Sequence, residues 1–97
     1  MNDLLVNQIR PGVNVRGVFV LKSKKLLTYR EAPGHFLAVT LADRTGSVEG
    51  QVWEGAEEAS AHLKVGDIVA VEALAVAYNG SVQLRIVSIL SEAHLVI

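Results

Sequence analysis

Residues 36 to 53, FLAVTLADRTGSVEGQVW, place the chain's only tryptophan beside a phenylalanine on one face of a hairpin. Two alternating segments flank Asp43-Arg44-Thr45-Gly46, a turn-forming run, and so read as paired strands. Successive side chains of a strand point to opposite faces. Leu37, Val39 and Leu41, with Val48, Gly50 and Val52, make the core face; Phe36, Ala38 and Thr40, with Glu49, Gln51 and Trp53, face outward. A large indole on a polar face supplies stacking chemistry: every nucleobase has a π-face, and each stacked base contributes about 1–3 kcal/mol. Thr40 and Gln51 complete this candidate binding face. The competing role for Trp53 is to pack under a following helix, since aromatics dominate cores as well as interfaces.

A non-specific single-strand groove also needs cations along the backbone path. Lys22, Lys24, Lys25, Arg30, Arg44 and Arg85 are the candidates, each weighed against an ordinary solvated surface role. Arg44 is the sharpest, lying in the turn between the two strands of the face, although neighbouring Asp43 could simply pair with it. The net charge of −1 argues against a strongly basic nucleic-acid binder. Its distribution is uneven, however: no acid occurs between Asp3 and Glu31, and seven of the ten acids fall between Asp43 and Glu72.

Other chemistry finds no support. With no cysteine there is no disulfide, thiol nucleophile or cysteine-based zinc site. His35, His62 and His94 lack metal-ligand spacing, and Glu57-Glu58 is explained by acids favouring the start of a helix. No nucleophile motif, Walker loop or dinucleotide fingerprint is present, so a non-enzymatic chain with no catalytic residue, metal or cofactor is expected.

The elements that must position the aromatic face follow from the punctuation. Ninety-seven residues make one small domain, 1–97. Pro11-Gly12 precedes a first strand over Val13 to Lys24, with Gly17 inside it as a candidate bend. Lys25 to Gly34 reads as a connection, and strands two and three are the hairpin above. Gly55 to Leu63 is the only window rich in helix formers. Ile68 to Tyr78 and Ser81 to Leu90 form a second hairpin around Asn79-Gly80, the strongest two-residue turn signal. The order βββαββ is that of an all-β, five-stranded Greek-key barrel, the OB-fold, with one short helix between strands 3 and 4. Gly17 and Gly50 are candidates for the corners that let it close. The amino terminus has no signal-peptide pattern and no run is long and apolar enough for a membrane span, so a cytoplasmic chain without membrane contact is expected. The apolar tail His94 to Ile97 looks like an abrupt stop, as if cut from a longer protein.

The segments PGVNVRGVFVLKSKKLLTYR, FLAVTLADRTGSVEGQVW, VGDIVAVEA and YNGSVQLRI resemble the amino-terminal OB domain of bacterial 3′-to-5′ exoribonucleases of the YhaM type, and more broadly anticodon-binding and single-strand-binding OB domains. The resemblance implies a module that binds single-stranded RNA in preference to DNA, with low sequence specificity, and presents it to a separate HD-type nuclease domain. Within it, Tyr78 matches the tyrosine of a Y-x-G-x-x-Q-L pattern and is expected to clamp a base from the opposite side of the groove; a cross-strand contact with Gln83 or Leu84 is the plainer role. Tyr29 is a lesser candidate. The chain has no His-Asp dipeptide, so the HD catalytic residues cannot lie within it. The rival expectation is a protein-interaction or homo-oligomerisation module that does not bind nucleic acid.

Overall fold

In the computed structural model, which describes residues 5–30 and 33–91, five strands close into a barrel in the order β1-β2-β3-β5-β4. A 3-10 turn at Val6–Gln8 leads into β1 (Asn14–Thr28), β2 (His35–Asp43), β3 (Gly46–Val52), helix α1 (Ala56–His62), β4 (Ile68–Tyr78) and β5 (Ser81–Ser91). This is the expected architecture. All neighbours are antiparallel except β3 and β5, which run parallel from Glu49↔Gln83 to Val52↔Ile86. Among the described residues no helix is long and apolar enough to cross a membrane. The tail from His94 to Ile97 lies outside the described residues.

The core follows the two-residue period. Leu37, Val39 and Leu41 are at most 2% exposed, and they meet Phe19, Leu21, Val69, Val71, Leu84 and Ile86 inside the barrel. Ala56 and Leu63 bring α1 into this core. Gly50 is glycine for lack of room: a Cβ there would lie 2.7 Å from Ile86 Cδ1 and 3.4 Å from Leu84 Cβ. Asn79 and Gly80, at φ 51° and 80°, give the second hairpin the two left-handed residues of a type I′ turn.

β1 departs from expectation in two ways. It continues past Lys24 to Thr28, because Lys25 to Thr28 pair with Ala38 to His35 instead of looping away. Its irregularity lies at Lys22, between the pairs Leu21↔Leu41 and Ser23↔Thr40, and not at Gly17, which is buried in regular pairing opposite Val71. One unpaired residue at a bulge resets the alternation. Ser23 and Lys25 therefore share the outward face with Thr40 and Ala38, while Lys24 falls on the other side.

Candidate nucleic-acid interface

The outward face runs unbroken across five strands. Directly opposed residues in a sheet share a face. The pairings set Lys25, Ala38, Gln51, Arg85 and Leu74 in one row, and Ser23, Thr40, Glu49, Gln83 and Val76 in the next. Gln51 and Gln83 reach each other at 3.5 Å. A groove of about 390 Å³ crosses this face, with Phe36 and Trp53 at one end, Gln51 and Arg85 along it, and Tyr78 at the other. A contiguous hollow of about 440 Å³ carries it past Tyr78 to Thr40 and Glu49. Five of the residues expected to bind thus line one groove, and Thr40 lines its extension.

At the groove's aromatic end three rings lie nearly parallel. Trp53 stacks on Phe36 at 4.6 Å between centroids and on Tyr29 at 5.5 Å, with interplanar angles of 20° and 5°; Tyr29 and Phe36 are 6.0 Å apart at 23°. Their planes thus present π-faces in one direction, the geometry of a stacking platform. Trp53 remains 39% exposed and touches its neighbouring rings in place of capping the core beneath α1. Tyr29, the lesser candidate by sequence, joins this stack. Its backbone N–H donates to Gly34 O at 3.2 Å, closing the β1–β2 connection, and its ring lies 2.6 Å from where a Cβ on Gly34 would stand. The glycine of Pro33-Gly34 was the available signal. Tyr78 is 58% exposed at the tip of the β4–β5 hairpin, where its pairing partner is Ser81.

The cations divide. Arg85 lies on the groove itself, and Lys25, placed outward by the bulge, sits at the β1 end of the same row. Lys22 is the exposed bulge residue. Lys24, expected with them, is turned away: its Nζ donates to Ser60 O at 2.5 Å and Leu63 O at 2.6 Å, the last carbonyls of α1. Arg16 pairs with Glu72 at 2.7 Å on the opposite side of the barrel. Arg44 is exposed at the far tip of the β2–β3 hairpin, nine residues from Trp53 along the chain. Asp43 does not pair with it. The Asp43 carboxylate accepts bonds from the Thr45 backbone N–H (2.8 Å), the Thr45 hydroxyl (2.6 Å) and the Val6 N–H (2.8 Å). Partial burial pushes the Asp43 carboxyl up, but the bonds from Thr45, Val6 and Gly46 together outweigh it and hold it below its ordinary 3.8. The hairpin tip is thereby fixed and tied to the amino-terminal turn.

Among the described residues no group of three or more His, Asp or Glu is placed to hold a metal ion. What the face offers is aromatic stacking, amide and hydroxyl hydrogen bonds, and a few cations.

Solved structures share the fold. The second OB-fold domain of replication protein A from Methanococcus maripaludis aligns with a TM-score of 0.72 at 19% identity, covering 93% of this chain and 94% of that one. A replication protein A heterotrimer bound to single-stranded DNA gives 0.63 at 15% identity, over 92% of this chain and 64% of that one. The p204 HINb domain gives 0.65 at 16% identity, over 87% and 42%. No curated protein matches the sequence. Residues 13–90, β1 through β5 apart from its final residue and including every ring and cation of the groove, match the tRNA anticodon family, described as an OB-fold nucleic acid binding domain, and the chain belongs to that family.

Proposed function

We propose that the chain binds single-stranded nucleic acid in the groove between Trp53 and Tyr78. The observation that carries this reading is the trio of near-parallel rings at the end of a groove that also holds Arg85 and Gln51. Bases stack on the platform, Tyr78 closes on them from the hairpin, and Arg85, Lys25 and Lys22 neutralise phosphates. Membership of a nucleic-acid-binding family supports the same reading, as does the likeness to a replication protein A assembly bound to single-stranded DNA.

The finer part of the proposal is a preference for RNA and delivery of the strand to a separate HD-type nuclease domain, in the cytoplasm. It is supported by the likeness of the opening, hairpin and closing segments to exoribonuclease OB domains. Titration of Trp53 fluorescence with short poly-U and poly-dT strands, at low and higher salt, tests both levels. Salt-sensitive quenching, with binding of a labelled strand lost in Trp53→Ala, is the expected result; stronger binding of poly-U supports the RNA preference. No response to either strand at high micromolar concentration overturns the proposal.

One observation favours a second reading, self-association. On the opposite side of the barrel Val18, Ala70 and Leu90 lie in register beside the pair Val20↔Ile68; Val18, Ile68 and Leu90 are 43%, 49% and 50% exposed. Sedimentation of the free chain as a dimer, lost in Ile68→Lys, would support it.

A further inference from the structure

Trp53 stands between two hollows of opposite character. Toward the strands lies the groove with Gln51 and Arg85. Toward the helix lies a separate hollow of about 310 Å³, walled by the rings of Tyr29 and Trp53 and, facing them, by His35, Glu57 and Glu58. Its floor includes Gly34 and Gly55, which put no side chain into it. That volume sits at the small end of the roughly 300–1,000 Å³ range of ligand pockets, room for a base and not for a length of strand.

The polar wall of this hollow is organised. His35 Nδ1 is shut off from solvent and lies 2.6 Å from Glu57 Oε2, a contact that sets this carboxylate oxygen against the edge of the imidazole. Oε1 of Glu57 and the Glu58 carboxylate remain as acceptors, and ionised carboxylates accept without donating. A phosphate is repelled from such a wall, so a strand lying on Trp53 must keep its backbone on the Arg85 side. The base on the platform then turns its pairing edge toward the carboxylates.

Resting on the nucleic-acid reading above, we propose that this hollow is a base-reading subsite that selects guanine on the Trp53 platform over uracil or thymine. Guanine presents two adjacent donors, N1–H and the N2 amine, which match a carboxylate in the bidentate manner that gives geometric specificity. Adenine and cytosine offer one amine beside a ring acceptor. Uracil and thymine offer a single N3–H between two carbonyls, both of which meet the carboxylates unfavourably. A good bidentate pair between a side chain and a base is worth about 1–3 kcal/mol of discrimination, and the lower end suits this half-open site.

The test is the dissociation constant of the whole chain for labelled eleven-nucleotide uridine strands carrying one central guanine, inosine, adenine, cytosine or uracil. The single guanine should tighten binding about fivefold over uracil. Inosine, which lacks only the N2 amine, should fall between them. In the double variant Glu57→Gln/Glu58→Gln the guanine-to-uracil ratio should collapse to about one, and circular dichroism melting confirms that the variant folds. Equal affinity for guanine and uracil strands in the unmodified chain overturns the subsite, as does a guanine preference that survives the double variant. Failure of every strand to bind overturns the nucleic-acid reading itself, and the subsite with it.

Discussion

Two adjacent lysines should fail in opposite ways. Lys24 Nζ donates to the carbonyls of Ser60 and Leu63 at 2.5 and 2.6 Å, holding the end of α1 against β1. Lys24→Met keeps the apolar stem but strips both bonds. Hydrogen bonds to charged groups contribute about 1.5–3 kcal/mol net, and half-burial with access for replacement water brings the loss for the pair to about 2 kcal/mol. For a domain of this size each kcal/mol shifts the melting midpoint by about 4–8 °C, so the variant should melt roughly 8–16 °C lower. Its affinity for single strands, measured below the new midpoint, should hardly change. Lys25, outward opposite Ala38, makes no such bonds among the described residues. Lys25→Met should leave stability within about 0.5 kcal/mol and flatten the dependence of log affinity on log salt by about 0.7, the value of one phosphate contact on a single strand. Thermal melts and salt-resolved titrations of the two variants decide the matter. A Lys24→Met chain as stable as its parent, or one whose salt dependence flattens as much as that of Lys25→Met, would refute the reasoning.

Two further expectations concern the frame around the groove. Gly50→Ala should cost about 1–2 kcal/mol because its Cβ meets Ile86 Cδ1 at 2.7 Å, and adding Ile86→Val, which removes that methyl, should restore part of the loss although Ile86→Val alone costs about 1 kcal/mol; urea unfolding of the three variants measures this. The Asp43 carboxyl sits below its ordinary 3.8 in the folded chain, so its contribution is complete above about pH 4 and is lost as pH falls through the folded value; the stability gap between the unmodified chain and Asp43→Asn should therefore narrow as unfolding is measured from pH 5 down to pH 3.

The fold was legible because its signals are local. Alternation in LAVTL and VAVEALAV sets which side of a strand is buried, and Asp43 to Gly46 and Asn79-Gly80 mark where strands reverse. Gly50 was also readable as special, though its reason is the nearness of Ile86 on a strand more than thirty residues away. The groove was legible in its rings and in Gln51, Arg85 and Tyr78. The place of Lys24 was not. Strict alternation from Val15, Gly17, Phe19 and Leu21 puts Lys22 and Lys24 outside, whereas one extra residue at Lys22 sends Lys24 under the helix and Lys25 onto the face. A bulge is a matter of pairing with β2, and no property of Lys22 itself announces it. Tyr29 reads as the lesser candidate for a related reason: its place beside Trp53 depends on its contact with Gly34 across a connection, which composition cannot show.

β1 has two partners that reach it at different times. Its second half pairs with β2, a neighbour along the chain, but Asn14 to Val20 must wait for Leu74 to Ile68, so that Arg16 meets Glu72 across 56 residues. As the polypeptide leaves the ribosome, the β2–β3 hairpin and its rings can assemble while Val15 and Phe19 still lack cover. Loop closure over such a span is slow relative to local pairing. The parallel contact that sets Gln51 beside Arg85 also needs β5, the last strand to emerge. The stacking rings are therefore available early and the groove late, so a strand captured by the complete groove binds only finished molecules and draws the folding equilibrium toward them.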